Sequence, residues 1–223
     1  MKKIIAIVLA VSSFFFLTVP NVLAEWSAGI SVSHGVYSAS GTETQEGDSE
    51  KNTLNGEEGK FTYPSIFLEY NLGVVSIGFD VIPGSVTTEE STRTDINIGE
   101  SAGVGNDGGT SGVTNKASVE LSRHASLYAL VPIMDTGAFA RIAVMRVDVE
   151  TKESLGTGST YPDTTMEGAS LSLGYQHNTD AAFFRAEVGY SDYDEMTVTS
   201  NTSNKVRADV DGGWARLSIG KAF

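Results

Sequence analysis

Apolar and polar residues alternate with a period of two in eight segments of this chain. In the last of them, Ala215, Leu217 and Ile219 alternate with Arg216 and Ser218. This period is typical of a β-strand with one apolar and one polar face. The pattern therefore predicts eight strands, which cover residues 26–36, 63–70, 75–81, 117–131, 139–150, 169–176, 183–190 and 213–223.

The connections between these strands are alternately long and short. Long polar stretches rich in Thr, Ser, Gly and Glu indicate loops, and Asn/Gly or Pro/Gly clusters indicate tight turns. Within the longest loop, residues 86–98 keep enough alternation for two strands that extend beyond the main sheet. The predicted loops are 39–60, 83–115, 151–165 and 201–204, and the predicted turns are 71–73, 132–137 and 178–180.

An even number of antiparallel strands with short turns at one end and long loops at the other is typical of a membrane barrel. We therefore predict an all-β fold, an eight-stranded antiparallel up-and-down transmembrane β-barrel with short periplasmic turns and long extracellular loops. The apolar face carries Val, Leu, Ile, Ala and aromatic residues, and the other face carries Ser, Gly and charged residues. A soluble barrel of lipocalin type has the same period with its apolar face inside, and it stays open as an alternative.

In two of the predicted strands, the pattern does not clearly show which face points outward. In 139–150 we expect Phe139 and the apolar residues 143, 145, 147 and 149 to face outward, which leaves Arg146, Asp148 and Glu150 inside. This choice places Arg141 on the apolar side. In 117–131, Arg123 also lies on the apolar face, so we expect it at the outer boundary of the membrane, with residues 117–122 above it.

The start of the chain has the composition of a secretory signal peptide. Lys2 and Lys3 precede an apolar run, which is followed by Pro20 and by small residues up to Ala24. These are the basic, apolar and cleavage regions of such a signal, so we expect residues 1–24 to be removed and 25–223 to form the barrel. The chain has no cysteine and a formal net charge of −13, which argues against disulfide stabilisation and against nucleic acid as a partner.

The last strand resembles the C-terminal signal that the assembly machinery of bacterial outer membranes reads. Leu217, Ile219 and Phe223 carry the resemblance, while Lys221 stands where an aromatic residue is common in that family. Together with the signal peptide, the last strand is similar to those of the small OmpA-like, opacity-protein and porin-family barrels of Gram-negative bacteria. The resemblance implies a location in the cell outer membrane, contact with outer-membrane lipid, lipopolysaccharide and the assembly machinery, and a monomeric state.

An eight-stranded barrel has an interior just wide enough for side chains to fill, and buried charges must be paired. Charges on the predicted inner face would thus form a network in the lumen. The favoured hypothesis is a structural or surface-interaction barrel with a filled lumen, and the alternative is a narrow porin-like channel for small solutes or ions. The predicted network consists of Glu69, Asp80, Glu120, Arg146, Asp148, Arg185, Glu187 and Arg216.

A third hypothesis is a lipid-modifying enzyme. His124 and Ser126 lie two residues apart on one predicted strand, and this pair resembles a fragment of the lipid A deacylase motif. No further part of that motif is present nearby, so we predict a protein without enzymatic activity. The acidic loops could offer oxygen ligands to Ca²⁺ or Mg²⁺, but they lack the spacing of a known calcium loop, and we predict no cofactor.

Overall fold

The computed structural model describes residues 25–44, 51–96, 112–155 and 159–223. The predicted signal peptide, residues 1–24, lies outside the described residues. The strands are β1 Glu25–Thr44, β2 Lys51–Asn71, β3 Ser76–Val81, β4 Ser85–Thr87, β5 Ser91–Ile96, β6 Gly112–Pro132, β7 Ala138–Ser154, β8 Thr164–Asn178, β9 Phe183–Thr199 and β10 Lys205–Ala222, and a 3₁₀ turn lies at Met134–Thr136.

The strands close into a ring of eight antiparallel positions. β3, β4 and β5 all pair with β6, one after another along its length, so together they form one strand of the wall. β1 pairs with both β2 and β10, which joins the two ends of the chain and closes the ring. The predicted all-β, eight-stranded antiparallel barrel is therefore confirmed. Among the described residues, no helix has the length and apolarity needed to cross a bilayer.

The barrel exposes its apolar side chains and buries its polar ones. Leu127, Leu171 and Leu217 are 53%, 59% and 62% exposed, whereas Ser172 and Arg216 are buried in the lumen. This arrangement is the reverse of a soluble barrel, in which the apolar face would be inside. We call the exterior set the apolar belt; its members include Ile30, Val32, Ile66, Leu68, Ile77, Phe79, Leu127, Leu171, Leu173, Phe184, Val188, Leu217 and Ile219.

The belt has different side chains at its two edges. Near the short turns, the rings of Trp26 and Tyr70 lie 4.8 Å apart, as expected for aromatic residues at a membrane interface. At the opposite edge, Arg123 forms an ion pair of 2.5 Å with Asp148 on the outer surface. A charged pair beside lipid headgroups costs much less than one at mid-bilayer, so this edge marks the outer boundary of the membrane-spanning part.

Two predicted loops, 39–60 and 151–165, are shorter than expected. Residues 39–44 and 51–60 continue β1 and β2 as a long hairpin, and β7 runs on to Ser154. The prediction was wrong there because these extensions lie above the belt, where neither face meets lipid, and the apolar alternation therefore stops. The strands persist through their ladders, such as the pairing of Thr44 with Lys205. The two strands expected within 86–98 are present as β4 and β5.

Above the belt the wall of the barrel is not continuous. β2 pairs with β3 only over Ile66–Asn71, and β4 pairs with β6 but not with β2 among the described residues. Pro64 and Pro83 lie on the two sides of this opening, and proline cannot donate a hydrogen bond to a strand ladder. We call this opening the β2–β4 gap. The β8–β9 ladder also stops at Gly168 and Tyr193, so above this level no described ladder joins β8 to β9.

Candidate functional site

The inner face of β7 is the opposite of the predicted one. Arg141 is only 4% exposed and points into the lumen, together with Phe139, Ala143, Met145 and Val147. Arg146 faces outward and is exposed, and Asp148 lies on the same outer face. The prediction was wrong because the upper lumen is apolar, so apolar residues lie on both faces of this strand and hydrophobicity could not decide between them.

A β-bulge in β6 changes which side chains face the lumen. Arg123 has a left-handed backbone with φ of 49°, and the register shifts by one residue between Ser122 and Ala125. A bulge inserts one extra residue and therefore reverses the alternation beyond it. Val119 and Leu121 consequently pack inside against the cluster of Val147, Val149 and Met166, and the predicted lumen residue Glu120 faces outward.

Glu120 belongs to an exterior surface network above the membrane. Its carboxylate lies 3.3 Å from the Lys152 ammonium group, which also pairs with Glu150. Hydrogen bonds from Ser85 and Lys152 lower the pKa of Glu120 below its ordinary value. Lys152 in turn has a raised pKa because Glu150 and Glu120 accept hydrogen bonds from its ammonium group. These solvated pairs contribute little to stability, and they do not belong to the lumen.

Six buried charges fill the lumen at the level of the belt, and we call them the lumen cluster. Their signs balance, with three carboxylates and three guanidinium groups, and each carboxylate has a guanidinium partner. Buried charges that are paired and hydrogen-bonded avoid most of the cost of desolvation. The members are Glu69, Asp80, Arg141, Arg185, Glu187 and Arg216, each no more than 9% exposed.

Glu69 and Arg185 form the best-connected pair of this cluster. Arg185 donates from both Nη atoms to the two carboxylate oxygens of Glu69, with the Nη2–Oε2 distance at 2.7 Å. Tyr128 and Ser27 donate further hydrogen bonds to the same carboxylate, at 2.7 and 3.2 Å. A two-pronged arginine–carboxylate contact fixes geometry as well as charge, so this pair holds β2 and β9 together across the lumen.

The other two pairs connect further strands. Arg141 Nη1 lies 3.3 Å from Glu187 Oε1, which also accepts a hydrogen bond from Ser172 at 2.8 Å. Arg216 Nη1 lies 3.6 Å from Asp80 Oδ2 and donates from Nε to Ser33 at 2.9 Å. The cluster therefore joins β2, β3, β7, β9 and β10 through side chains.

Aromatic rings flank the arginines of the cluster. The guanidinium carbon of Arg185 lies 4.4 Å from the ring centre of Phe183, and that of Arg141 lies 3.9 Å from the ring centre of Tyr128. Tyr128 fits because Gly78 faces it: a Cβ atom on that glycine would lie 2.3 Å from the tyrosine ring. The aromatic rings and the ion pairs together fill the lumen at this level.

The structure thus brings five of the eight predicted network residues together and places the other three elsewhere. Glu69, Asp80, Arg185, Glu187 and Arg216 lie in the cluster, whereas Glu120, Arg146 and Asp148 lie on the exterior. The sixth member, Arg141, was missed. Its charge was the available signal, because an arginine in the middle of a belt strand favours the lumen side.

Two other groups of predicted residues can be located. Leu217, Ile219 and Phe223, the predicted assembly signal, lie on the exterior, and the backbone of Phe223 pairs with that of Trp26. His124 and Ser126 have different partners: His124 Nε2 lies 3.0 Å from the Tyr193 hydroxyl, and Ser126 accepts a long hydrogen bond of 3.5 Å from Arg141. Both side chains thus contact other residues of the lumen.

An apolar cavity of about 110 Å³ lies in the extracellular half of the barrel. We call it the upper cavity. Side chains of the lumen wall and of both sides of the β2–β4 gap line it, among them Tyr63, Val86, Leu121, His124, Tyr193 and Val210. The cavity separates the lumen cluster from the extracellular sheets. Among the described residues, no group of three or more acidic or histidine side chains could hold a metal ion.

The fold and the belt define a class of protein. A closed antiparallel barrel satisfies every backbone hydrogen bond within its wall, and an apolar exterior over a polar interior suits a bilayer. The chain is therefore a transmembrane β-barrel of the outer-membrane type, in agreement with the expected location in the cell outer membrane.

Comparison with solved structures supports this fold. The chain is similar to the outer membrane protein OprG from Pseudomonas aeruginosa, with a TM-score of 0.53, 11% identity, and coverage of 90% of this chain and 96% of OprG. It also matches the outer membrane protease OmpT from Escherichia coli, with a TM-score of 0.42, 10% identity, and coverage of 92% and 100%. Neisserial surface protein A matches with a TM-score of 0.35, 12% identity, and coverage of 86% and 97%.

Sequence comparison gives no closer assignment. Neither a protein-family model nor a curated protein matches the chain. At 11% identity the similarity to OprG shows the fold alone, so the role of the barrel must be inferred from its own side chains.

Proposed function

We propose that this protein is a non-conducting outer-membrane barrel with a structural and surface-interaction role. The observation that carries the proposal is the lumen cluster, in which three buried ion pairs occupy the bore at the level of the belt. A narrow channel would need mobile or water-exposed charges along its path. The cluster instead joins five strands, as expected of side chains that stiffen a barrel.

The extracellular extensions support the surface-interaction part of the proposal. β1 and β2 continue well above the belt as a hairpin, and β9 and β10 do so beside them. Their solvent-facing residues include Glu57, Glu58 and Glu195. A polar sheet that stands above the membrane is suited to contact soluble molecules or a neighbouring cell surface.

We further propose that the barrel is monomeric and contacts lipopolysaccharide at the outer boundary. Ring closure between β1 and β10 leaves no free strand edge within the belt, so lipid alone can cover the wall. Arg123 and Arg146 are exposed at the outer boundary, where lipid phosphates would be their partners. The exterior position of Leu217, Ile219 and Phe223 is compatible with their recognition by the assembly machinery during insertion.

We also propose that the protein has no enzymatic activity, because His124 and Ser126 have the lumen partners described above.

Conductance in a planar lipid bilayer tests the closed lumen. We expect no stepwise conductance from the purified barrel at moderate voltage, under conditions in which a general porin produces steps, because the lumen cluster fills the bore. An Arg146→Ala variant, which is altered only on the exterior, should likewise show no stepwise conductance. Reproducible steps that change in size when Arg141 or Asp80 is replaced would contradict the proposal and support the narrow channel.

A further inference from the structure

We propose that the upper cavity binds a small apolar molecule, about the size of a single ring and carrying one hydrogen-bonding group. The cavity measures about 110 Å³ and is lined mainly by apolar and aromatic side chains. Cavities of roughly 150 Å³ with such linings stay dry and accept benzene-sized molecules. A ligand of one ring with few substituents therefore matches the available space.

One polar atom in the cavity has no hydrogen-bond partner among the described residues. His124 lines the cavity, and its Nε2 is engaged by the Tyr193 hydroxyl at 3.0 Å. Its Nδ1 is buried and makes no hydrogen bond. The hydroxyls of Tyr37 and Tyr63, which also line the cavity, are bonded to each other at 2.8 Å. Since buried polar atoms are rarely left unpaired, His124 Nδ1 is the group that a ligand would engage.

The wall beside the cavity offers a path for a ligand. Phe61 and Tyr63 on β2 and Gly84 and Val86 on the other side of the β2–β4 gap all line the cavity. In the part of the chain that the structure describes, no strand pairing joins these two sides above Ile66. Gly84 has φ of 86°, and apart from Gly84 itself and its two chain neighbours no described residue has an atom within 4 Å of the position its Cβ would occupy. The cavity is therefore accessible from the side of the barrel, at the outer edge of the apolar belt.

This site is separate from the lumen cluster, and its existence does not depend on whether the barrel conducts. The ion pairs lie at the level of the belt, whereas the cavity begins at the bulge of β6, where Leu121 and His124 turn inward. Solutes need not pass the cluster to reach it. A molecule that enters through the gap would remain on the extracellular side of the ion pairs.

Binding is tested with 4-fluorophenol and 4-fluorotoluene, followed by ¹⁹F NMR on the barrel in lipid nanodiscs. We expect saturable binding of both probes, with 4-fluorophenol about fivefold tighter because its hydroxyl pairs with His124. In His124→Leu the two probes should bind with equal affinity. In Val210→Phe, whose added ring fills the cavity, both should bind at least tenfold more weakly and show only partition into the lipid.

The controls separate occupancy of the cavity from general effects. Leu171→Phe enlarges a belt residue on the exterior and should bind both probes like the unaltered barrel. Val86→Phe fills the cavity from the opposite wall. It replaces Val210→Phe if that variant does not fold, which is checked by comparing the gel mobility of unboiled and boiled samples. Equal saturable binding in the unaltered and filled variants, or partition without saturation in all of them, would overturn the proposal. Equal affinity of the two probes for the unaltered barrel would overturn the role of His124.

Discussion

Replacing Glu69 with alanine is expected to lower the free energy of unfolding by about 3–5 kcal/mol, because it leaves the Arg185 guanidinium buried and unpaired. Tyr128 and Ser27 would lose their acceptor in the same variant. Urea unfolding of the barrel in lipid vesicles, followed by tryptophan fluorescence, measures the loss. Arg185→Ala should cost a similar amount for the converse reason.

The double variant distinguishes a coupled pair from two independent contributions. If Glu69 and Arg185 stabilise the barrel through each other, the double replacement should cost clearly less than the sum of the two single replacements. Arg146→Ala is the matched control, because this arginine faces outward and should change stability by no more than about 0.5 kcal/mol. A loss below 1 kcal/mol in Glu69→Ala, or simple additivity, would contradict the lumen cluster.

Introducing an arginine at Leu171 is expected to cost about 2–4 kcal/mol, since this exterior side chain would face the hydrocarbon of the bilayer. Leu54 provides a matched control within the same chain. It is also an exposed leucine, but it lies in the β1–β2 hairpin above the belt, where its partner is Gly41. Leu54→Arg should therefore change the stability by about 0.5 kcal/mol or less.

The difference between these two arginine variants locates the membrane. Both measurements use reversible unfolding in vesicles of the same lipid, so the depth of the residue is the main variable. Equal, small losses at both positions would show that Leu171 does not contact lipid. Equal, large losses would place the extracellular hairpin in the bilayer as well, contrary to the charged boundary at Arg123 and Asp148.

The eight-stranded ring could be predicted from the sequence because its clean strands alternate as the pleat requires. In β8, the apolar Leu171 and Leu173 face outward and Ser170 and Ser172 face inward, as expected. The long hairpin above the belt could not be predicted in this way. Thr42, Glu43 and their neighbours have no apolar face, and their strand conformation depends on pairing with β10, a contact distant in sequence.

The lumen could be predicted only where the apolar pattern was one-sided. Glu69, Arg185 and Arg216 lie on the polar faces of strands in which apolar and polar residues alternate regularly, so this alternation predicted them inside the barrel. β7 carries apolar residues on both faces, and there the charge of Arg141, in the middle of the belt, was better evidence than the number of apolar residues. The partners within the cluster could not be predicted, because they depend on the register of several strands around the closed ring.

The bulge at Arg123 was the hardest feature to predict. A positive φ usually indicates glycine, and an arginine in that conformation gives no signal in the sequence. One inserted residue exchanged the faces of β6 above it, moving Glu120 to the exterior and Leu121 into the lining of the upper cavity. The bulge, which brings Leu121 into the lining of the candidate binding site, therefore could not be predicted from the sequence pattern.

The orientation of the wall can be measured directly with spin labels, because the chain has no cysteine of its own. Single cysteines at Leu127, Leu171 and Leu217 should give labels that collide readily with oxygen dissolved in the lipid and rarely with a water-soluble nickel chelate. A label at Leu54 should show the reverse. Labels at the three belt positions that collide preferentially with the nickel chelate would contradict the claim that these side chains face lipid around a lumen filled with paired charges.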